Sequence, residues 1–213
     1  MCDMHNHHGL PPLAADEYLL ETPFVRGLIA TVRERIERSA SAADACEAIT
    51  PVFEEALARR DWLPAEFQQD VPDSGMGGGI GQWLLFRSAD RSLCLFSLVV
   101  PPGSRTPIHD HLAWGLVGLY HGNQDEEFYL PQDGTIELMR RRPLAPGDYY
   151  ALLPPTDDIH RVRTTSAETS VSIHLLANDT GCAERHTFDE HTGAARPFRS
   201  GYANAECEAP SVG

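Results

Sequence analysis

Apolar residues recur with a helical period near the start of the chain. They are spaced four residues apart, at Phe24, Leu28, Val32 and Ile36. Charged residues between positions 33 and 37 lie on the opposite face, which leaves one apolar stripe for packing. Thr22 and Pro23 are typical of an N-cap followed by proline at the first helical position. The pattern predicts a helix that begins at residue 23.

A second helical stretch is predicted over residues 42–60. Proline lacks the N–H that a helix interior needs, so we expect Thr50 and Pro51 to interrupt this stretch and restart it. Residues 70–81 follow with five glycines, and no Lys-Ser/Thr pair of a phosphate-binding loop accompanies them. We expect this segment to be a connector or a flexible lid.

After residue 82 the pattern changes to short apolar or alternating runs that are separated by turn signals. These runs predict strands over 83–87, 93–100, 114–120, 126–130, 135–140, 148–153, 161–164 and 169–176. Many short strands at close spacing favour a sandwich or a barrel. We therefore expect a mainly β protein with an N-terminal helical segment.

We expect one domain whose parts follow one another along the chain. Residues 1–12 are predicted to be a disordered tail, 13–69 to form helices packed on the barrel, and 82–204 to form the barrel. A chain of 213 residues is long enough for one hydrophobic core. The tail histidines at 5, 7 and 8 have no neighbours that would fix their geometry, so they do not predict a site.

Charge and composition exclude several classes of partner. The net charge of −14 argues against nucleic acid and anionic membranes, which need clustered Lys and Arg. The longest mainly apolar run, 93–100, is far shorter than a membrane span. The first residues have neither the basic region nor the apolar core of a secretory signal, so we expect a cytoplasmic protein. The five cysteines are scattered without a CxxC pair, which predicts reduced thiols.

Two histidines two residues apart are the strongest chemical signal. On a β-strand, His109 and His111 project from the same face and can bind one ion. His160 begins a later predicted strand, and strands of a barrel share one interior. These three residues predict a metal site. The histidines at 121, 186 and 191 are expected at turns or in polar loops and are not included.

The sequence around this pair resembles the first motif of the cupin proteins. The resemblance lies in the spacing of Gly103, His109, His111 and Gly122. Many cupins place a glutamate ligand at the position that is Gly115 here. The resemblance implies a double-stranded β-helix, or jelly-roll, barrel.

A second stretch is similar to the second cupin motif, through Gly147, Pro155 and His160. Asp157 stands in place of its usual glycine and Thr164 in place of its usual asparagine. The substitution at Gly115 is similar to that of cysteine-dioxygenase-like thiol dioxygenases, which bind ferrous iron through three histidines. This likeness covers most of 80–204 and includes PIHDHLAWGLVGLYHG, DDIHRV, SVSIH and FRSGYAN. It implies Fe(II) as cofactor, a small thiol and O2 as substrates, and a monomer.

The proposed chemistry follows from the ligand set. Three neutral imidazoles leave a divalent ion with its full charge, which a thiolate substrate can partly neutralise. Transfer of both oxygen atoms to sulfur would give a sulfinic acid. Three histidines also suit zinc, so another metal-dependent cupin, an isomerase or a hydrolase, is an alternative. A non-catalytic sensor is a further alternative, and the three intact histidines argue against it.

Residues 169–176 alternate, so Ser172, His174 and Leu176 share one face. Ser172 and His174 match a Ser-His-Tyr relay of the thiol dioxygenases, whereas Leu176 replaces its tyrosine. One interpretation is a 3-mercaptopropionate- or cysteine-type enzyme that works without the phenol. The other, which we favour, is room for a bulkier or cationic thiol such as ergothioneine.

Three residues are candidates for binding the substrate. By resemblance, Gln82 and Arg185 match positions that hold a substrate carboxylate, although Arg185 also fits a solvated loop. Trp114 matches an aromatic position of the family, and core packing is its stronger explanation. Possible partners for a cationic head are Trp83, Trp114, Tyr120, Asp125 and Glu126.

Overall fold

The computed structural model describes residues 10–132 and 134–207. Two α-helices, α1 (Pro23–Glu37) and α2 (Ala42–Ala58), precede a short 3-10 helix (Ala65–Gln68). The strands are β1 (Glu17–Tyr18), β2 (Gly81–Arg87), β3 (Cys94–Val100), β4 (Ile108–His109), β5 (Gly115–His121), β6 (Gln124–Gln132), β7 (Thr135–Leu144), β8 (Tyr149–Leu152), β9 (His160–Thr164), β10 (Ser170–Leu176), β11 (Arg185–Phe188) and β12 (Ala195–Phe198). The predicted tail histidines lie outside the described residues.

The strands form two six-stranded antiparallel sheets. One has the order β1-β2-β3-β10-β5-β8 and the other β12-β11-β4-β9-β6-β7. Of the eight strands from β3 to β10, four lie in each sheet, so that β3-β10-β5-β8 faces β4-β9-β6-β7. This order is that of a jelly roll, the double-sheet barrel of cupins. The predicted fold, a cupin barrel preceded by helices, is confirmed.

The first sheet is buried on both faces. Its inward side chains, such as Leu84, Phe96 and Val117, form an inner cluster between the sheets. Its outward side chains pack with α1 and α2 in an outer cluster, which includes Phe53 and Ile173. Because both faces are covered, β3 and β10 contain no exposed residue.

All eight predicted strands are present, with ends that differ by at most a few residues. The strands that the sequence did not predict, β1, β4, β11 and β12, have two to four residues each and are too short to produce a periodic pattern. The predicted break in the second helix is wrong. Pro51 lies inside a continuous α2, where the hydroxyl of Thr50 donates to the carbonyl of Cys46.

The prediction of reduced thiols is also wrong in part, because Cys182 and Cys207 form a disulfide. The chain after β12 returns along β2, where Ala203 N donates to the carbonyl of Gln82. The side-chain amide of Asn204 donates to the carbonyl of Leu84 and accepts from the N–H of the same residue. This path carries Cys207 back to Cys182, a meeting that sequence spacing could not indicate. Cys46 and Cys94 are free and buried.

None of the helices among the described residues is both long and apolar enough to cross a membrane.

Candidate metal centre

Two strands of the second sheet bring the three predicted histidines together. His109 at the end of β4 is the register partner of His160 at the start of β9, and His111 follows two residues after His109. The ring centroids are 4.7 to 4.9 Å apart, and the candidate ligand atoms all lie within 4.8 Å of one another. All three residues are buried. The predicted convergence is therefore present.

Hydrogen bonds orient two of the rings. His109 Nδ1 lies 2.9 Å from the carbonyl of Pro107, which can only accept, so this nitrogen carries the proton. His160 Nδ1 lies 3.0 Å from both the Tyr150 hydroxyl and Glu126 Oε2. His160 Nε2 is buried and has no partner among the described residues. The arrangement leaves Nε2 of these two rings free for a metal ion.

The surroundings of His109 and His111 favour the neutral form of both rings. Burial, followed by the charge of neighbouring His160, lowers the pKa of His109 and of His111 well below the usual value. Metal ligation requires the neutral imidazole with a free lone pair. The chemistry of the donor set therefore fits a divalent transition metal, and the cluster can hold one.

Asp158, which the sequence did not single out, fixes the loop after β4. Its two carboxylate oxygens accept from the backbone N–H groups of His111 and Leu112, at 2.9 and 3.2 Å. Leu112 has a positive φ of 52°, and this bond helps to hold it there. Burial raises the pKa of the Asp158 carboxyl above its usual value.

The position where other cupins carry a glutamate has no space for a side chain. A Cβ at Gly115 would overlap the carbonyl oxygen of Leu175 and lie 2.8 Å from Cα and 2.9 Å from Cδ2 of Leu176. Gly115 and Leu176 are cross-strand partners on β5 and β10. Gly115 and Leu176, two positions at which this chain differs from the motifs that it resembles, are thus in contact with each other.

Ser172 and His174 form the predicted pair on β10. The Ser172 hydroxyl lies 3.0 Å from His174 Nε2, and the imidazole stacks on Phe96 with ring centroids 4.6 Å apart. His174 Nδ1 is buried and has no hydrogen-bond partner in the part of the chain that the structure describes. The His174 ring centroid is 6.3 Å from that of His111. Burial lowers the pKa of His174 well below its usual value, so it is neutral.

Gln82 also lies in the barrel, and its side-chain Nε2 is a buried donor without a partner among the described residues. It borders a cavity of about 170 Å3. The connector after the 3-10 helix contributes Asp73 and Met76 to this cavity, and the C-terminal segment contributes Tyr202. Gln82 is therefore placed to meet a bound molecule.

Arg185 is buried rather than solvated, and three of its N–H groups are already used. It donates to the carbonyls of Thr180 and Asp110 and to the hydroxyl of Ser200, at 2.7 to 2.9 Å. Burial lowers its pKa to about 10, which leaves it charged at neutral pH. The hydrogen bond to the Asp110 carbonyl helps to hold the backbone between His109 and His111. A role of Arg185 in binding a substrate stays a prediction.

Trp114 is not brought to the histidines. It packs against the outer cluster and lines a different cavity with Arg33 and Leu93 of the helical side. On β5 the inward positions belong to Gly115 and Val117, so the adjacent Trp114 turns outward. Its predicted contact with substrate has no support in this placement.

Contacts outside the three-histidine cluster account for the positions of His186 and His121. His186 lies on β11 rather than in a loop, and its Nδ1 is 2.8 Å from Asp110 Oδ2. His121 is exposed beside Glu168. Glu126 and Tyr150 were missed as neighbours of the metal site. The alternation of β6, with Glu126 two residues before inward Phe128, is the signal that could have found the glutamate.

Comparison with solved structures finds distant likenesses. A double-stranded β-helix protein of Klebsiella pneumoniae is 12% identical over 58% of this chain and 95% of its own, with a TM-score of 0.43. Peruvianin-I, a cysteine peptidase from Thevetia peruviana latex, is 22% identical over 58% of this chain and 76% of its own, with a TM-score of 0.42. A Cupin 2 conserved barrel domain protein of Salinispora arenicola is 18% identical over 50% and 82%, with a TM-score of 0.38.

No protein-family model matches the sequence. The assignment to the cupin fold therefore rests on the strand order of this chain, and its three-histidine cluster gives that barrel a site that can hold a metal ion.

Proposed function

We propose that the chain is a non-haem Fe(II) thiol dioxygenase that adds both atoms of O2 to a thiol sulfur and yields a sulfinic acid. The observation that carries this proposal is the donor set, in which three buried imidazoles converge while the position of a carboxylate ligand is closed. With no anion among its direct ligands, a bound divalent ion favours an anionic substrate such as a thiolate. Fe(II), held by His109, His111 and His160, supplies the redox chemistry with O2.

Two unpartnered donors support a role in holding the substrate. Gln82 Nε2 can donate to a substrate carboxylate or carbonyl from the wall of the barrel. When the Ser172 hydroxyl donates to His174 Nε2, His174 Nδ1 keeps its proton and can donate to a bound thiol compound or to O2. Leu176 and Phe96 line the same interior and exclude water from it.

A thiol that carries both charges fits the cavity beside Gln82 better than a purely anionic one. Asp73 and the ring of Tyr202 border the same cavity as Gln82, so a cationic head and a carboxylate find partners a short distance apart. The net charge of −14 also favours a cationic group. We therefore place ergothioneine-like thiols ahead of 3-mercaptopropionate and cysteine as substrates.

An oxygen electrode with the iron-loaded protein tests the proposal. The panel contains ergothioneine, 3-mercaptopropionate, cysteine and cysteamine, and mass spectrometry identifies the product. We expect O2 uptake only after addition of a thiol, with equal amounts of O2 consumed and sulfinic acid formed. His160→Ala should abolish uptake, whereas His121→Ala, at an exposed histidine, should retain it.

Absence of uptake with every thiol, in protein that holds about one iron per chain, would overturn the proposal. Expression without metal bias then separates the alternatives, because a zinc isomerase or hydrolase should be isolated with zinc. Uptake with cysteine or 3-mercaptopropionate alone would retain the reaction and reject the preference for a cationic thiol.

A further inference from the structure

A carboxyl group lies directly behind one of the three histidines. Glu126 on β6 is fully buried, and its Oε2 is 3.0 Å from Nδ1 of His160. The Tyr150 hydroxyl, which reaches across from the facing sheet, is 3.0 Å from the same nitrogen. The Nε2 atom on the other edge of the His160 ring has no partner. The carboxyl therefore contacts one nitrogen of the ring while the second is free.

The burial of Glu126 needs a physical explanation, because a buried carboxylate is costly unless it is paired. Within the described part of the chain, Glu126 forms no ion pair with Arg or Lys. Glu127, the next residue, lies on the other face of β6, where its carboxylate is 2.6 Å from Arg141 and 3.8 Å from Arg161. Two adjacent glutamates thus have opposite surroundings, and only the one inside the barrel lacks a permanent cation.

We infer that Glu126 is a positioning residue for the metal ion and acts through His160. The 3.0 Å contact places its carboxylate, whose oxygens have no hydrogen-bond partner among the described residues, where it can accept the Nδ1 proton and so leave the Nε2 lone pair for the ion. Its negative charge also makes the imidazole a stronger ligand. Such carboxylate–histidine–metal arrangements contribute about 10–100-fold to metal affinity.

Glu126 adds a negative charge next to the site without being a direct ligand. The direct ligands are neutral because Gly115 leaves no space for a carboxylate, yet an anion lies one ring further out, behind His160. The charge of the metal is thus partly balanced without occupying a coordination position, and every position not taken by histidine stays open. This inference rests on the metal-binding part of the proposed function and is independent of its thiol chemistry.

Metal affinity of the apoprotein tests the inference without thiol or O2. Chelator-treated wild type, Glu126→Gln and Glu127→Gln are titrated with Zn(II), and anaerobically with Fe(II), against a chromophoric chelator. We expect Glu126→Gln to weaken both affinities about 10–100-fold. Glu127→Gln is the matched control, with the same chemical change on the opposite face of the strand, and should leave both affinities unchanged.

A second measurement separates positioning from a merely structural role. Urea denaturation of the metal-free proteins should find Glu126→Gln at least as stable as wild type, because the change removes a buried charge. A structural glutamate would give the opposite pattern, with lower stability and unchanged affinity of the folded protein. Glu126→Asp keeps the carboxylate but withdraws it, and should give an intermediate affinity.

The two proposals fail in different ways. Wild-type protein that binds neither metal would overturn the proposed function together with this inference. Wild-type protein that binds metal, with Glu126→Gln binding it equally well, would overturn only the role of Glu126. If Glu126→Gln does not fold, Glu126→Asp takes its place. Wild-type metal affinity in Glu126→Asp would then overturn the role of Glu126.

Discussion

Two buried polar clusters in this protein differ in how their groups are satisfied. In the first, Asp179 is fully buried and accepts on both oxygens, from the Tyr202 hydroxyl at 2.8 Å and from Arg91 at 2.6 Å, with Arg87 3.4 Å away. In the second, one ring nitrogen of each of His111, His160 and His174 has no hydrogen-bond partner among the described residues.

The difference indicates what each cluster is for. Paired charges around Asp179 hold the C-terminal segment, through Tyr202, against the barrel. Unpaired buried nitrogens cost stability, and they persist in native proteins where a ligand or a reaction needs them. Changes in the Asp179 cluster should therefore affect folding, and changes in the histidine cluster should affect binding.

The largest effect is expected for His109→Ala on metal content. Loss of one of three ligands should reduce the bound metal from about one ion per chain to a small fraction of that. The fold should persist, because the ring makes one backbone hydrogen bond, to Pro107. Metal analysis and circular dichroism check this, and His121→Ala should retain the full metal content. A His109→Ala protein with full metal content would remove His109 from the ligand set.

Asp179→Asn should lower the stability of the fold and leave metal binding unchanged. Removing this charge leaves Arg91 and Arg87 buried beside a neutral amide, which costs on the order of 3–5 kcal/mol of the free energy of unfolding. Urea denaturation measures the loss, and the fraction that remains folded should bind metal like wild type. A variant of unchanged stability would show that the paired cluster is not the structural one.

Cys207→Ser should lower the free energy of unfolding by about 3 kcal/mol, because the disulfide closes a loop between residues 25 positions apart. The chemically reduced wild type should match this variant, since both have lost the same constraint on the unfolded chain. Urea denaturation with and without a reducing agent checks the prediction. Among the described residues, Cys207→Ser has no disulfide left to reduce, since Cys46 and Cys94 are free and buried. A reductant that further destabilises this variant would therefore contradict the prediction.

The smallest effect is expected from pH. His174 has a lowered pKa in the folded protein, whereas an unfolded histidine titrates near about 6.5. The unfolded chain therefore binds a proton first, and stability that is fully present above about pH 6.5 is lost as the pH falls. For His174 the slope is about 1.4 kcal/mol per pH unit. Below about pH 6.5, the free energy of unfolding of metal-free His174→Gln should fall by about 1.4 kcal/mol less per pH unit than that of wild type. Urea denaturation between pH 7 and 5 measures this difference.

Local patterns were sufficient to predict both α-helices and eight of the twelve strands among the described residues. The four-residue spacing after Pro23, the strand runs and the turn signals each arise from a few neighbouring residues, and the structure has an element at each of them. The three histidines were also predictable as a cluster, although His111 lies in the loop after β4, where Asp158 holds its backbone, and not on a strand. The disulfide and the path of the C-terminal segment were not predictable, since they join residues that no local pattern connects.

What the sequence alone determined is a helical segment followed by a β-barrel, together with a histidine cluster that has no carboxylate at Gly115. The tertiary structure decided which side of each buried strand faces the metal. Both faces of β5 are buried and mainly apolar, so alternation could not tell that Gly115 lies inside and the preceding Trp114 outside. It also decided that Glu126, one of two adjacent glutamates, lies behind His160. The physical reason is that a strand covered on both faces loses the polar side from which orientation is inferred, and only packing against the second sheet restores it.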